Sequence, residues 1–154
     1  MSLEARAVRD SAIAVVETAE RSHALFGGKA TAISQIWALA AECAEADWNG
    51  EGAEPIAQLA ASLAADFVRA LPDGVPLPEF APEPDGSISL DWIQSRHRLF
   101  SLSVGSTNRL AFAWLDGADR GHGVARFDGT KVPSRVLQGV LSIVNHGDAS
   151  LRAA

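Results

Sequence analysis

Tyrosine is absent from this chain, cysteine and methionine occur once each, and 13 basic residues are outnumbered by 19 acidic ones. Each shortage excludes something. A lone Cys43 cannot close an internal disulfide, so nothing in the cysteine usage points to an oxidising compartment. No apolar run approaches the roughly eighteen residues of a membrane span. Residues Met1 to Arg6 lack the basic region and apolar core of a secretion signal. A formal charge of −6 and a pI near 5.1 work against nucleic-acid binding, which needs clustered Lys and Arg to neutralise phosphates. Arg96-His97-Arg98 is one short basic run and does not reverse that balance. There is no internal repeat, no low-complexity tract, no Gly-x-Ser-x-Gly elbow and no pair of histidines one helical turn apart. A cytoplasmic protein with no cofactor, no nucleic-acid partner and no membrane partner is expected.

The chain has 154 residues, of which 47% are hydrophobic and 21% charged, which suits one globular domain with one core. Residues 1–71 read as helical. Val8, Ala12, Val15, Ala19, His23 and Phe26 recur at helical spacing, and Gly27-Gly28 supplies a stop. A second helix is expected from a Thr31 cap, with Ile33, Ile36, Trp37, Ala40 and Cys43 on its apolar face. A third opens with Pro55 and carries Ile56, Leu59, Ala60, Leu63, Phe67 and Leu71. Between the last two lies a turn-rich loop, Asp47 to Glu54.

Residues 72–84 hold five of the seven prolines and read as an extended connector with an edge strand near Glu79 to Ala81. Pro84-Asp85-Gly86 is a turn, since glycine supplies the positive dihedral. From there the period changes to two over residues 85–128. Ile88, Leu90 and Trp92 alternate with Ser87, Ser89 and Asp91. Phe100, Leu102 and Val104 alternate with Ser101 and Ser103, and Leu110, Phe112 and Trp114 with Ala111 and Ala113. A short strand is expected near Val124 to Phe127, after a connection over Asp116 to Gly121. A final helix is expected over residues 132–146, with a frayed tail at Ser150 to Ala154. The pattern predicts an α+β fold: an antiparallel meander of four to five strands, one face covered by three N-terminal helices and one C-terminal helix.

Three stretches also resemble a group of small bacterial proteins without an established activity. They are Trp48-Asn49-Gly50-Glu51-Gly52-Ala53-Glu54-Pro55-Ile56, then Leu71-Pro72 with Pro78, then Pro82-Glu83-Pro84-Asp85-Gly86-Ser87-Ile88-Ser89-Leu90-Asp91-Trp92. The resemblance implies a bacterial, cytosolic, single-domain protein and assigns no catalytic residue.

Candidate site residues each carry a plainer reading. His23 belongs to an apolar stripe and His146 to a helix end. Cys43 is a buried thiol followed by acidic residues that disfavour a thiolate. Gly27-Gly28-Lys29-Ala30-Thr31 lacks phosphate-loop spacing. Trp48 either packs back onto the domain or presents a binding anchor, and burial is the better reading for an aromatic among glycines. Asp91, on the polar side of its strand, has no structural task. His97 and His122 are placed in loops near Asp91, Asp116 and Asp119, where convergence would suit a divalent metal or acid–base work. No catalytic residue and no metal ligand is assigned. The leading expectation is a non-catalytic, cytosolic protein-interaction module of a small bacterial two-gene system. It would bind a protein partner or itself through the open sheet face or an edge strand, with Trp48, Asp91, His97 and His122 as possible binding residues. The alternative is a small metal-dependent enzyme or ligand-binding domain using His97, His122 and the neighbouring aspartates.

Overall fold

A computed structural model describes residues 27–145. The expected helix over Val8 to Phe26, His23, His146 and the tail at Ser150 to Ala154 lie outside them. Helix α1 occupies residues 27–42, α2 Gln58–Ala70 and α3 Ser134–Val144. Between α2 and α3 run β1 (Glu79–Pro82), β2 (Ile88–Ser95), β3 (Arg98–Val104), β4 (Arg109–Asp116) and β5 (Asp119–Arg126). They form one antiparallel sheet in the order β1-β2-β3-β4-β5. The fold is α+β with a five-stranded meander.

Two helices precede the sheet among the described residues, not three, and their ends differ from the sequence reading. Gly27 and Gly28 are not a stop but helical, the first described residues of α1, and Thr31 is helical as well and not a cap. Glycine in a helix costs about 1 kcal/mol relative to alanine, and here tertiary contact offsets it. A side chain at Gly28 would sit 3.5 Å from Leu77, so the helix runs close against the connector. Lys29 then reaches across to donate from Nζ to the carbonyls of Leu71 (2.5 Å) and Arg69 (3.1 Å), closing the C-terminal end of α2. Pro55 does not open α2. The helix starts at Gln58 because Ala57 is extended (ψ 134°), and Ile56 N–H donating to Cys43 and Ala57 N–H to Gly86 tie that extended stretch to neighbouring segments.

The last strand is longer than its sequence signal. The β4–β5 connection is only Gly117-Ala118, and β5 takes in Asp119 to Gly123. Gly121 and Gly123 disguise it. They lie on the covered face, opposite Trp114 and Phe112, and a Cβ at either would come within 2.7 Å of those rings. The aromatic side chains of β4 fill the space that β5 leaves empty.

Alternation sorts the strands into two faces. Ile88, Leu90, Trp92, Phe100, Leu102, Val104 and Leu110 are buried against Phe67 and Val68 of α2 and Val136, Val140 and Ile143 of α3. Phe67 meets Phe127 and Trp92 edge-on at 5.6 and 6.3 Å, and Phe100 stacks on Phe112 at 5.6 Å. Trp92 also donates from Nε1 to the Pro76 carbonyl at 2.7 Å, pinning the proline connector to the sheet. Arg98 donates to the Ile143 carbonyl at 2.6 Å, securing the end of α3, while its Nε stands 3.4 Å from Asp116 as an ion pair without a directed hydrogen bond. Two residues expected on apolar helix faces, Trp37 and Leu59, are 43% and 54% exposed.

Candidate functional site

The loop at 47–57 and the turn at 83–87 are two halves of one junction. Asp47 and Asn49 organise the first half. Asp47 Oδ1 accepts from Gly52 N–H at 2.6 Å, and Asn49 Oδ1 accepts from Glu51 and Ala53 N–H at 2.8 and 3.1 Å. Trp48 packs against the core and donates from Nε1 to the Glu54 carbonyl at 2.7 Å. In the second half, Gly86 at φ 90° forms the turn, and Asp85 Oδ1 accepts from Ser87 N–H at 3.0 Å. Glu54 N–H then donates to Pro84 at 2.8 Å and Ala57 N–H to Gly86 at 3.1 Å. A Cβ on Gly86 would stand 2.8 Å from the Pro55 carbonyl. The junction fixes where the sheet begins relative to α2 and so sets which side chains reach the uncovered face.

That face is the candidate site. Its rows follow from the pairing register. One runs Glu79–Asp91–Ser101–Ala113–His122, and the next Ala81–Ser89–Ser103–Ala111–Val124. Towards the hairpin turns a third row runs Ile93–Leu99–Leu115–Arg120. The centre of the face is serine and alanine, so its surface is low. The charges separate by strand. Carboxylates at Glu79, Glu83 and Asp91 lie on or beside β1 and β2, while Arg109, Arg120, His122 and Arg126 lie on β4 and β5. Across five strands this places opposite charges about 15–20 Å apart.

The acidic side is held in place. Asp91 Oδ1 accepts from Ser89 at 2.7 Å and from Ser101 at 2.5 Å. Ser103 donates to Glu83 Oε2 at 3.0 Å. Burial pushes the Glu83 carboxyl above the ordinary range; the Ser103 hydroxyl works against this, and the nearby Asp85 and Asp91 charges add to it. Ile93 is 52% and Val124 39% exposed, the two large apolar side chains that this face leaves most open.

The other sequence candidates are spread out. His97 sits exposed in the β2–β3 turn, where its carbonyl accepts from Gly117 N–H at 2.8 Å, so the two hairpin turns lie side by side. His122 is in β5, not in a loop, and projects from the open face beside Ala113. Asp116 and Asp119 pair across β4 and β5 on the covered side. His122 and those aspartates therefore point to opposite faces, and among the described residues no group of three His, Cys, Asp or Glu is placed to hold a metal. Cys43 is buried, and burial followed by the Glu42 charge pushes its thiol above the usual value. On the covered side a groove of about 350 Å³ opens between α3 and β4, lined by Trp114, Asp116, Arg135 and Gln138, with Arg135 over the Phe112 ring at 5.7 Å.

Of the charged residues on this face, sequence reasoning singled out Asp91 and His122 as possible binding residues and passed over Glu79, Glu83, Arg109, Arg120 and Arg126. For β5 the signal was present as the alternation Arg120, His122, Val124, Arg126, with glycine and alanine between. Glycine reads as loop in a hydrophobic pattern, which hid the strand. Comparison with known proteins gives no matching family model, no matching curated protein and no matching solved structure. Among the described residues no helix is long and apolar enough to cross a membrane.

Proposed function

We propose that this chain is a non-catalytic protein-interaction module, a cytosolic component of a small bacterial two-gene system, and that it docks another polypeptide on the open face of its sheet. The observation that carries this reading is the segregation of charge on a low face that none of the described elements covers, where Asp91 and Glu83 are already oriented by Ser89, Ser101 and Ser103. Side chains held in one rotamer lose little freedom on binding, which favours recognition. Opposed charge fields set register and partner choice more than they set raw affinity. The metal-dependent alternative gains no support from the placement of His122 opposite Asp116 and Asp119.

The test is a binding assay against the product of the adjacent gene. An Ala111→Arg/Ala113→Arg variant, which raises bulk in the middle of the face, is expected to lose binding. A Leu59→Asp variant on the exposed side of α2 is expected to retain it. Equal binding by the wild type and the open-face variant would remove the face from the interaction.

A further inference from the structure

Taking the open face as a docking surface, we infer that its occupant is a second copy of this chain, packed face to face about a two-fold axis that lies between the sheets and runs parallel to the strands. The argument is one of symmetry. In a two-fold pair the same patch must complement itself. A two-fold axis parallel to the strands exchanges left for right, so β1 of one copy lies over β5 of the other, β2 over β4, and β3 over itself. Each row of the face then meets its own reverse. Glu79 comes over His122 of the second copy, and the end of β1 that leads into Glu83 comes over the end of β5 at Arg126, a long side chain that can follow the Glu83 carboxylate as it leans in to Ser103. In the row near the turns Ile93 comes over Leu115, and Leu99 over Leu99. In the middle, Ser101 and Ser103 meet themselves, Ala111 meets Ser89, and Ala113 meets Asp91, whose carboxylate is tied to Ser89 and Ser101 of its own sheet; small residues on this scale let the sheets approach to the usual spacing of about 10 Å. The other in-plane axis, perpendicular to the strands, sets carboxylates on carboxylates and arginines on arginines. The face therefore selects one of the two arrangements.

The free edge of β5 does not offer an equal alternative. Pairing β5 with β5 would bring Arg120, His122 and Arg126 of both copies onto adjacent strands, and Gly121 and Gly123 give such a strand little to pack. Five strands about 4.8 Å apart and four side-chain rows about 7 Å apart, the fourth being the one that ends in Arg109 and Arg126, give a face of about 600 Å², or about 1,200 Å² for the pair. That is the lower end of specific interfaces, so the dimer is concentration-dependent.

Charge reversal tests this on the full chain by sedimentation equilibrium. The wild type is expected to pass from monomer to dimer with rising concentration, more weakly at high salt. One variant carries His122→Glu with Arg126→Glu, and the other Glu79→Arg with Glu83→Arg. Each is expected to dimerise roughly a hundredfold more weakly, since like charges then oppose across the interface. An equimolar mixture of the two is expected to recover association, because every pair is again opposite in sign. Circular dichroism checks that each variant is folded. A wild type that stays monomeric overturns the proposal, as does a charge variant that dimerises unchanged or a mixture that does not recover. A monomeric wild type that still binds the adjacent gene's product through its open face would sink the self-association alone and leave the interaction module standing.

Discussion

The two faces of the sheet are built from the same strands, residue by residue, and differ in almost every property. Phe100 is fully buried and packs on Trp92 and Phe112, whereas its neighbour Ser101 turns outward to hold Asp91. The covered face derives its stability from apolar contact, and its residues are fixed by volume. The open face has little volume to fill, and its residues are fixed by hydrogen bonds and by where charge falls. The first face explains why the chain folds, and the second is free of that demand.

The largest effect should come from breaking the covered face. Phe100→Ala is expected to destabilise the fold by about 3–5 kcal/mol, from lost transfer energy and a cavity that its neighbours cannot close. Ala111→Ser on the open face is expected to stay within about 0.5 kcal/mol. Urea denaturation of the two variants measures the contrast directly, and similar losses would abolish the distinction between the faces. A middle-sized effect belongs to the junction that orients them. Gly86→Ala meets both a positive φ and the Pro55 carbonyl, and a loss of about 1–3 kcal/mol is expected from backbone strain alone. The same denaturation experiment checks it.

The smallest effect sharpens the electrostatics of the open face. Because Glu83 has its pKa raised, mainly by burial, the folded protein binds that proton more tightly than the unfolded chain does. Its contribution to stability is full below the ordinary carboxylate value of 4.5 and is lost as pH rises through the raised one. Glu83→Gln removes this dependence. The variant should gain on the wild type between acid and neutral pH by roughly a few tenths of a kcal/mol, since the site is partly solvated. Denaturation midpoints at the two pH values would show it, and a difference of the opposite sign would mean that the Ser103 bond outweighs burial.

These contrasts also show what the sequence made legible. Strands β1 to β4 were readable because their apolar and small polar residues alternate without interruption, as in Ile88 to Trp92. The edge strand at Glu79 was readable because prolines exclude a central position. The full length of β5 was not, because the contacts that make Gly121 and Gly123 suitable come from Trp114 and Phe112 on another strand. Gly27 and Gly28 failed as a helix stop for the same kind of reason: their compensation lies at Leu77 and in the reach of Lys29 to α2, about forty residues away. At the candidate site, Asp91 stood out as a polar residue without a structural task. The charge segregation did not, because it exists only once the register aligns β1 with β2 and β4 with β5.

The junction between the 47–57 loop and the 83–87 turn carries a consequence for how such sequences diverge. Glu54 and Ala57 are tied to Pro84 and Gly86 through backbone atoms, so no side-chain change on one stretch can compensate for a shift in the other. The two stretches are a single structural unit written in two places. The backbone bonds place no such demand on the connector between them, while a residue inserted into either stretch would shift the sheet against its helices.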